Sequence, residues 1–345
     1  MTSESARQAD RPAPPRTLSL RVQQVFVRLG VLPFLLIIAV VVFSLLSSRF
    51  LGGQNLINVA RQSTYLTMVA MGQMLALLTG GFDLSVGTIL AVTSVFGAAA
   101  MASMYAAYPD AVLLCIAVGM LAGVGAGLLI GVVNGTGVAV FGVSPFMMTL
   151  GMASVGFGIA LYQTGGVPVY GMPPQFGKAL GFGRWLGIPV PIFVTAGLIV
   201  FMYVLLNWTR MGRYLYAIGG NLRASTLSGI NTRLYLFLAY VLCGGMAAIS
   251  GIMLTARLET GEANIGATMP LESIAACVIG GVSLRGGTGR LGNVVLGAIF
   301  IGLVQNGMNL ARIESYLQIV VIGILLIIAV VADQLRQRMM AKLRD

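Results

Sequence analysis

The chain has 345 residues, of which 57% are hydrophobic and only 9% are charged, and its mean hydropathy is +0.92. Soluble domains contain roughly 45–50% apolar residues, so this composition excludes a water-soluble protein and indicates one that crosses a membrane many times. The chain contains no histidine, which removes the commonest general base and most zinc sites. Its net charge of +11 falls mainly in short segments between apolar stretches, so nucleic-acid binding is not expected either.

Ten apolar stretches follow one another along the chain, and a helix needs about 20 such residues to cross a bilayer. We therefore predict an all-α membrane protein, a polytopic bundle of about ten transmembrane helices, in which the eighth crossing is the weakest. The predicted crossings lie near residues 29–48, 56–79, 84–106, 111–133, 143–163, 188–207, 234–256, 267–284, 291–311 and 315–333.

The positive charges predict the orientation, because loops rich in Lys and Arg tend to stay in the cytoplasm. With ten crossings both termini lie on one side, and most Lys and Arg residues fall on that side if it is the cytoplasm. We expect a disordered basic tail over residues 1–28, a membrane domain over 29–333 with a long cytoplasmic loop at 208–233, and a short basic cytoplasmic tail at 334–345.

The junction between the second and third crossings has the sequence T-G-G-F-D-L-S-V-G, from Thr79 to Gly87. A carboxylate at membrane depth costs about 2.5–3.5 kcal/mol, so Asp83 is expected to be paired or to face a water-filled path. Alternatively, Asp83 caps the third helix through nearby backbone N–H groups, with Ser85 assisting. The two roles are compatible.

A ladder of glycines, one every four residues, marks the fourth crossing. The spacing places them on one helix face, which predicts close backbone packing against a neighbour rather than chemistry. Asn134 is the one polar candidate in this region. The ladder comprises Gly119, Gly123, Gly127, Gly131 and Gly135.

The fifth crossing begins with the segment from Ser144 to Gly151, and Pro145 suits the first turn of a helix. Its hydroxyl groups, such as that of Thr149, could contact a polyol-like solute. The other interpretation is a helix start with no further role.

In the loop at 208–233, Ala224, Leu227 and Ile230 have helical apolar spacing, with Gly219-Gly220 before them and Gly229 near the end. Such a short helix lies on a membrane surface or docks into a partner's groove, and the spacing alone favours the surface helix.

Several segments together resemble the permease subunits of monosaccharide ABC importers of the ribose, xylose, arabinose and galactose type. The Thr79 to Gly87 segment is similar to that family's T-G-G-[IF]-D-L-S-V-G signature, and the resemblance extends over most of the chain. The other matching segments are Ser144 to Gly151, Gly219 to Ile230, Ile274 to Gly289 and Asn306 to Leu310.

The resemblance implies a permease in the bacterial cytoplasmic (inner) membrane that pairs with itself as a homodimer. It implies a separate ABC ATPase subunit, which binds ATP and magnesium, and a periplasmic sugar-binding protein that delivers a monosaccharide. No cofactor, metal or catalytic site is expected in this chain, which is not itself an enzyme.

The resemblance also implies roles for particular residues. It implies that the short helix in the loop is the element that couples to the ATPase. This element comprises Asn221, Leu222, Arg223, Ala224, Leu227, Gly229 and Ile230. The candidates for the translocation pathway are Asp83, Ser85, Asn134, Phe146, Thr149, Glu272 and Asn306. The chain departs from the family pattern around Glu272, which stands two positions later than the family's acidic residue.

Two other classes remain open on the residues alone. An ion-coupled secondary transporter would titrate Asp83 and Glu272 or bind a cation there. A membrane-integral enzyme would need a catalytic cluster that the sequence does not display.

Overall fold

The computed structural model describes residues 32–342, so the tail expected at 1–28 lies outside the described residues. The regular secondary structure of the described chain is helical apart from one small hairpin and one isolated bridge. The α-helices are α1 (Leu32–Leu46), α2 (Gly53–Leu78), α3 (Val86–Ala107), α4 (Val112–Ala139), α5 (Pro145–Thr164), α6 (Pro174–Phe176), α7 (Val190–Trp208), α8 (Arg210–Gly220), α9 (Leu222–Leu227), α10 (Thr232–Leu258), α11 (Met269–Ile279), α12 (Leu291–Leu310) and α13 (Ser315–Lys342). A π-helical turn covers Gly177–Gly181, and β1 (Arg184–Trp185) pairs antiparallel with β2 (Ile188–Pro189).

Each of the ten predicted crossings contains a helix, but seven helices in the described part are long and apolar enough to span a membrane. These are α3, α4, α5, α7, α10, α12 and the Ser315–Ala332 part of α13. Helices α1 and α11 are apolar but short, whereas α2 is long but carries polar residues. The fold is therefore a polytopic helical bundle, and the count of ten crossings is not established by helix length and composition alone.

Helix α2 lies at the centre of the bundle. Nearly every residue from Ser63 to Leu78 is buried, including the polar side chains of Thr67 and Gln73. A helix buried on all sides must be enclosed by other helices, and α2 packs against α7, α10, α11 and α12. By contrast, α5 and α13 leave most of their apolar surface exposed, as helices that face lipid or another protein do.

The glycine ladder of α4 packs as its spacing predicts. A Cβ atom added to Gly123 would lie 2.6 Å from the Thr93 carbonyl oxygen of α3, and one added to Gly131 would lie 2.9 Å from the Tyr240 carbonyl oxygen of α10. The glycines therefore let α3 and α10 approach α4 backbone to backbone. The packing interpretation of the ladder is confirmed.

The eighth predicted crossing, 267–284, is wrong as a continuous span. Helix α11 has 11 residues and so rises about 16 Å, half of the roughly 30 Å hydrocarbon thickness. Glycines end it, because Gly281 has a φ of +81° that side chains disfavour. The segment before it, from Glu259 to Thr268, is not helical. This crossing is thus a half-helix joined to extended and turning backbone.

The connection at 208–233 contains two helices, α8 and the short helix α9 that the sequence predicts. Helix α8 buries Leu215 and Ile218 on one face, and the Gly212 N–H donates to the Thr209 hydroxyl at its start (3.4 Å). The apolar spacing of Met211, Leu215 and Ile218 was the signal for this helix. At the other end of the chain, α13 continues to Lys342, through most of the expected carboxyl-terminal tail.

Candidate functional site

Asp83 stands between α2 and α3 with its carboxylate fully buried. Its Oδ1 accepts hydrogen bonds from the Ser85 N–H (2.8 Å) and the Ser85 hydroxyl (2.6 Å). These bonds satisfy a backbone donor next to the first turn of α3, where N–H groups lack helical partners. Asp83 and Ser85 are therefore bonded to each other, but no described side chain caps the first N–H groups of α3, so the predicted helix cap is not formed.

Two other helices hold the same turn. The Asn134 side chain of α4 donates to the Ser85 Oγ (2.8 Å), and its Nδ2 lies 3.5 Å from the Asp83 Oδ2. In the orientation that satisfies both amide groups, Gln73 of α2 donates to the Asp83 carbonyl oxygen (3.0 Å) and accepts from the Asp83 N–H (3.1 Å). We call Gln73, Asp83, Ser85 and Asn134 the Asp83 cluster.

The Asp83 cluster contains one residue that the sequence analysis missed. Gln73 carried a signal, because it is a polar residue in an otherwise apolar stretch at the end of α2. The cluster also holds an unused acceptor, since the buried Asn134 Oδ1 has no hydrogen-bond partner. Among the described side chains, no group of three or more His, Cys, Asp or Glu residues lies together in a way that could hold a metal ion.

An open cleft of about 320 Å³ lies beside the Asp83 cluster. Three walls enclose it, formed by α3, by α5 and by residues 263–270 at the start of α11. Helix α3 contributes Gly87, Thr88 and Ala91, and α5 contributes Ala153, Ser154 and Phe157. The Thr88 hydroxyl donates to the Ala153 carbonyl oxygen (2.8 Å) and so ties two walls together.

The remaining pathway candidates lie on three different helices, α5, α11 and α12. Phe146, at the start of α5, packs edge-on against Phe82 with ring centroids 6.1 Å apart, and the Thr149 hydroxyl donates to the Pro145 carbonyl oxygen in its own helix (2.8 Å). Glu272 is buried in the first turn of α11.

Asn306 pairs with Asn55 through two amide hydrogen bonds of 2.8 and 3.1 Å. The structure thus brings together Asp83, Ser85 and Asn134 of the seven candidates. The described residues that line the cleft include none of the seven.

Helix α9, which contains most of the predicted coupling residues, projects from the bundle. The Asn221 side chain caps it by accepting from the Ala224 N–H (2.9 Å), and Ser225 is its buried residue. Leu227 is 89% exposed and Leu222 is 49% exposed. Because the chain itself does not cover it, an exposed leucine on this short capped helix is available for a partner.

A tight contact of glycines, which we call the glycine junction, connects α9 to the rest of the bundle. It comprises Gly80, Gly219, Gly286 and Gly287, which meet where α2, α8 and the loop after α11 converge. The Gly287 N–H donates to the Leu78 carbonyl oxygen (2.9 Å), and a Cβ atom on Gly219 would collide with that same oxygen.

Tyr216 reinforces the junction, because its hydroxyl donates to the Gly289 carbonyl oxygen (3.0 Å). Burial raises the pKa of the Tyr216 hydroxyl, which keeps it protonated as a donor. Together with the Gly287–Leu78 hydrogen bond, this contact ties α8 through the loop after α11 to the end of α2, five residues before Asp83.

A bundle with several helices long enough to span a membrane and a cleft between them is the architecture of a polytopic membrane protein, and similarity to known proteins identifies its class. The chain belongs to the permease family described as "Branched-chain amino acid transport system / permease component", which matches residues 55–330. It is a multi-pass protein of the inner membrane.

Three characterised relatives are sugar permeases. The ribose import permease protein RbsC of Escherichia coli K12 is 36% identical over 305 residues, which cover 88% of this chain and 92% of that protein. RbsC of Bacillus subtilis 168 is 38% identical over 304 residues, 88% and 92% of the two chains. The D-allose transport system permease protein AlsC of E. coli K12 is 34% identical over 303 residues, 88% and 90% of the two chains.

The resemblance inferred from the sequence motifs is therefore confirmed, and the general role of the chain is that of a permease. No solved structure matches this chain significantly.

Proposed function

We propose that this chain is the membrane-spanning subunit of an ATP-driven importer that moves a monosaccharide, a pentose, a hexose or a related polyol, into the cell. The observation that carries the proposal is the 36% identity with a ribose import permease over 92% of that protein's length. An alignment over almost the whole chain supports a shared transport role, beyond a shared fold. The chain itself would bind no ATP.

The proposed arrangement has about ten crossings with both termini in the cytoplasm. Helices α1, α2 and α11 would complete the set, α2 as a helix shielded from lipid by its neighbours and α11 together with the non-helical segment before it. Arg210, Arg213, Arg223 and Arg233 flank or lie in α8 and α9, and the positive-inside rule puts that end in the cytoplasm.

A separate ABC ATPase subunit, which binds ATP and magnesium, would dock on α9. The exposed Leu227 supports this assignment, because a partner's groove would bury an apolar side chain that otherwise faces water. Burying a leucine contributes about 1.5–3 kcal/mol to binding.

The glycine junction offers a route for the ATPase's movement into the membrane domain. Only Asn221 separates Gly220 from α9, and the preceding Gly219 contacts the backbone at Leu78. Because packed backbones cannot be compressed, a displacement of α9 moves the end of α2 and with it the turn that holds Asp83.

The other partners would be a second copy of the chain, membrane lipid and an extracytoplasmic sugar-binding protein. The exposed apolar faces of α5 and α13 would meet lipid or the second copy. Helix α10 starts next to α9 and is about 40 Å long, so its far end, near Leu258, would face the binding protein.

The experiment is a gentle affinity purification of the tagged chain from native membranes, with Leu227→Asp compared with Leu186→Asp. Leu186 is a matched control, because it is 82% exposed and lies in the hairpin turn at a positive φ that Asp tolerates. We expect an ABC ATPase to co-purify with the unaltered chain and with Leu186→Asp, and to be lost with Leu227→Asp.

A parallel uptake measurement separates the proposal from its alternative. ATP-driven import should continue when an uncoupler dissipates the ion gradients at constant ATP. Collapse of uptake under those conditions, with no ATPase recovered even after crosslinking, would instead support ion-coupled transport through Asp83 and Glu272.

A further inference from the structure

The segment before α11 enters the bundle without forming a helix. A Cβ atom on Gly261 would lie 3.0 Å from the Ser94 carbonyl oxygen, whereas one on Gly266 would lie 3.1 Å from the Leu90 Cβ. Gly266 also packs against Gly87, at the first turn of α3. Since α3 is about 33 Å long, the segment follows it from its middle nearly to its start.

Backbone of this kind is expensive inside a membrane. Each N–H or C=O group without a partner in hydrocarbon costs several kcal/mol, so irregular backbone survives only where protein buries it or where it lines a water-filled cavity. In the segment from Ala263 to Pro270, one side packs on α3 and the other side opens to the cleft. The cleft therefore explains how the irregular backbone of the eighth crossing is tolerated, and the absence of a helix there leaves space for the cleft.

Small side chains make the cleft. Gly87 and Ala91 on α3, Ala153 on α5, and Ala263 and Ala267 before α11 leave open space where larger residues would pack. The volume of about 320 Å³ lies at the lower end of the roughly 300–1,000 Å³ range of small-molecule sites.

The polar groups of the cleft are uncharged. Thr88, Ser154 and Asn264 supply two hydroxyl groups and an amide, and the Ser154 and Asn264 side chains are exposed. None of the described side chains that line the cleft is charged. Hydroxyl and amide groups exchange hydrogen bonds with a neutral polyhydroxylated solute, whereas an ion would have no opposite charge here.

The geometry points to this cleft, between α3, α5 and Ala263–Pro270, as the surface that each copy of the chain contributes to the passage of a neutral, polyhydroxylated solute. The assignment rests on the proposed import function and names the surface that the solute touches. The Asp83 cluster lies behind the α3 wall and holds it in place, while Ser154 and Asn264 face the solute.

Filling the cleft tests the assignment. Ser154→Trp places a large ring in the space, whereas Val155→Trp changes the next residue of α5, which is 54% exposed and does not line the cleft. We expect uptake to fall about tenfold or more in Ser154→Trp, because an occupied cleft has no room for solute, and to stay within about twofold in Val155→Trp. Equal uptake by the two variants, at equal recovery of the ATPase, would overturn the assignment.

Thiol labelling in cells gives a second test that does not depend on a bulky residue. A membrane-impermeant, thiol-specific reagent needs a water-exposed thiolate, and the native Cys115, Cys243 and Cys277 are buried. We expect Ser154→Cys to react, and ribose, D-allose or L-arabinose, whichever is imported, to slow the reaction. Val155→Cys should show no such protection.

These outcomes distinguish failure of the cleft assignment from failure of the proposed function. If the unaltered chain imports a sugar but Ser154→Cys neither reacts nor is protected, the cleft assignment alone fails. If the unaltered chain imports none of the three sugars and no sugar protects Ser154→Cys, the proposed function fails and the assignment fails with it.

Discussion

The Asp83 cluster and the cleft are neighbours on α3, yet they are built in opposite ways. In the cluster, Asp83, Ser85 and Asn134 are fully buried and bonded to one another. In the cleft, the wall residues are small, and space remains between the helices. The difference indicates that the conspicuous polar motif fixes a junction of helices, whereas the inconspicuous small residues leave room for a solute.

The two regions also differ in how they connect to the docking end. The cluster sits five residues from Leu78, which the glycine junction fixes to α8 and hence to α9. The cleft instead adjoins the non-helical segment before α11, whose Gly261 and Gly266 pack on α3 rather than on the glycine junction.

The largest expected effect comes from destroying the cluster. Asp83→Leu removes the acceptor of the Ser85 N–H and hydroxyl and leaves buried donors unpaired, at about 1–3 kcal/mol each. We expect little folded protein, measured as the monodisperse fraction in size-exclusion chromatography after detergent extraction. Normal recovery and an unchanged melting temperature would show that the cluster does not hold the fold.

A smaller loss is expected at the glycine junction. Gly219→Ala places a methyl group against the Leu78 carbonyl oxygen, and overpacking of this kind costs typically about 1–3 kcal/mol. Gly220→Ala is the matched control, because no atom lies within 4 Å of its added Cβ.

We expect Gly219→Ala to retain the ATPase partner but to lose most uptake, because the docking helix α9 and the membrane domain no longer fit together. Gly220→Ala should transport normally. Equal transport by both variants would remove the glycine junction from the coupling route.

The smallest effect is expected at the pair of Asn55 and Asn306, which do not line the cleft. Asn306→Ala removes two amide hydrogen bonds, but Asn55 keeps its bond to the Phe50 carbonyl oxygen (2.8 Å). The loss of stability should be about 1 kcal/mol, seen as a small fall in melting temperature, with uptake within about twofold. A fall in uptake well beyond twofold, together with only this small loss of stability, would return Asn306 to the pathway candidates.

Much of the fold could be predicted from local sequence. Apolar length gives the helices, the spacing of four gives the packing face of α4, and the two-residue separation of Asp83 and Ser85 favours their hydrogen bond. These features depend on residues close together in the chain. For the same reason, the capping of α9 by Asn221 follows from the segment alone.

The cleft could not be predicted in this way. It depends on three segments far apart in sequence, around Gly87, Ser154 and Ala267, none of which carries a motif of its own. The weakness of the eighth crossing could be read from the sequence, but the path that the polar segment Glu259–Thr268 takes along α3 could not. Gln73 and Asn134 reach Asp83 only through tertiary packing, so the sequence could indicate their polarity but not their partner.

The most direct test of the account is ATP-driven uptake by Asp83→Asn, normalised to the amount of assembled complex. Asn keeps an acceptor for Ser85, and the unpartnered Asn134 Oδ1 can turn to accept from the new amide. We predict assembly like that of the unaltered chain and uptake within about threefold of it, because no charge is needed at a packing junction. Normal assembly with abolished uptake would contradict the account and place the carboxylate itself in the transport pathway.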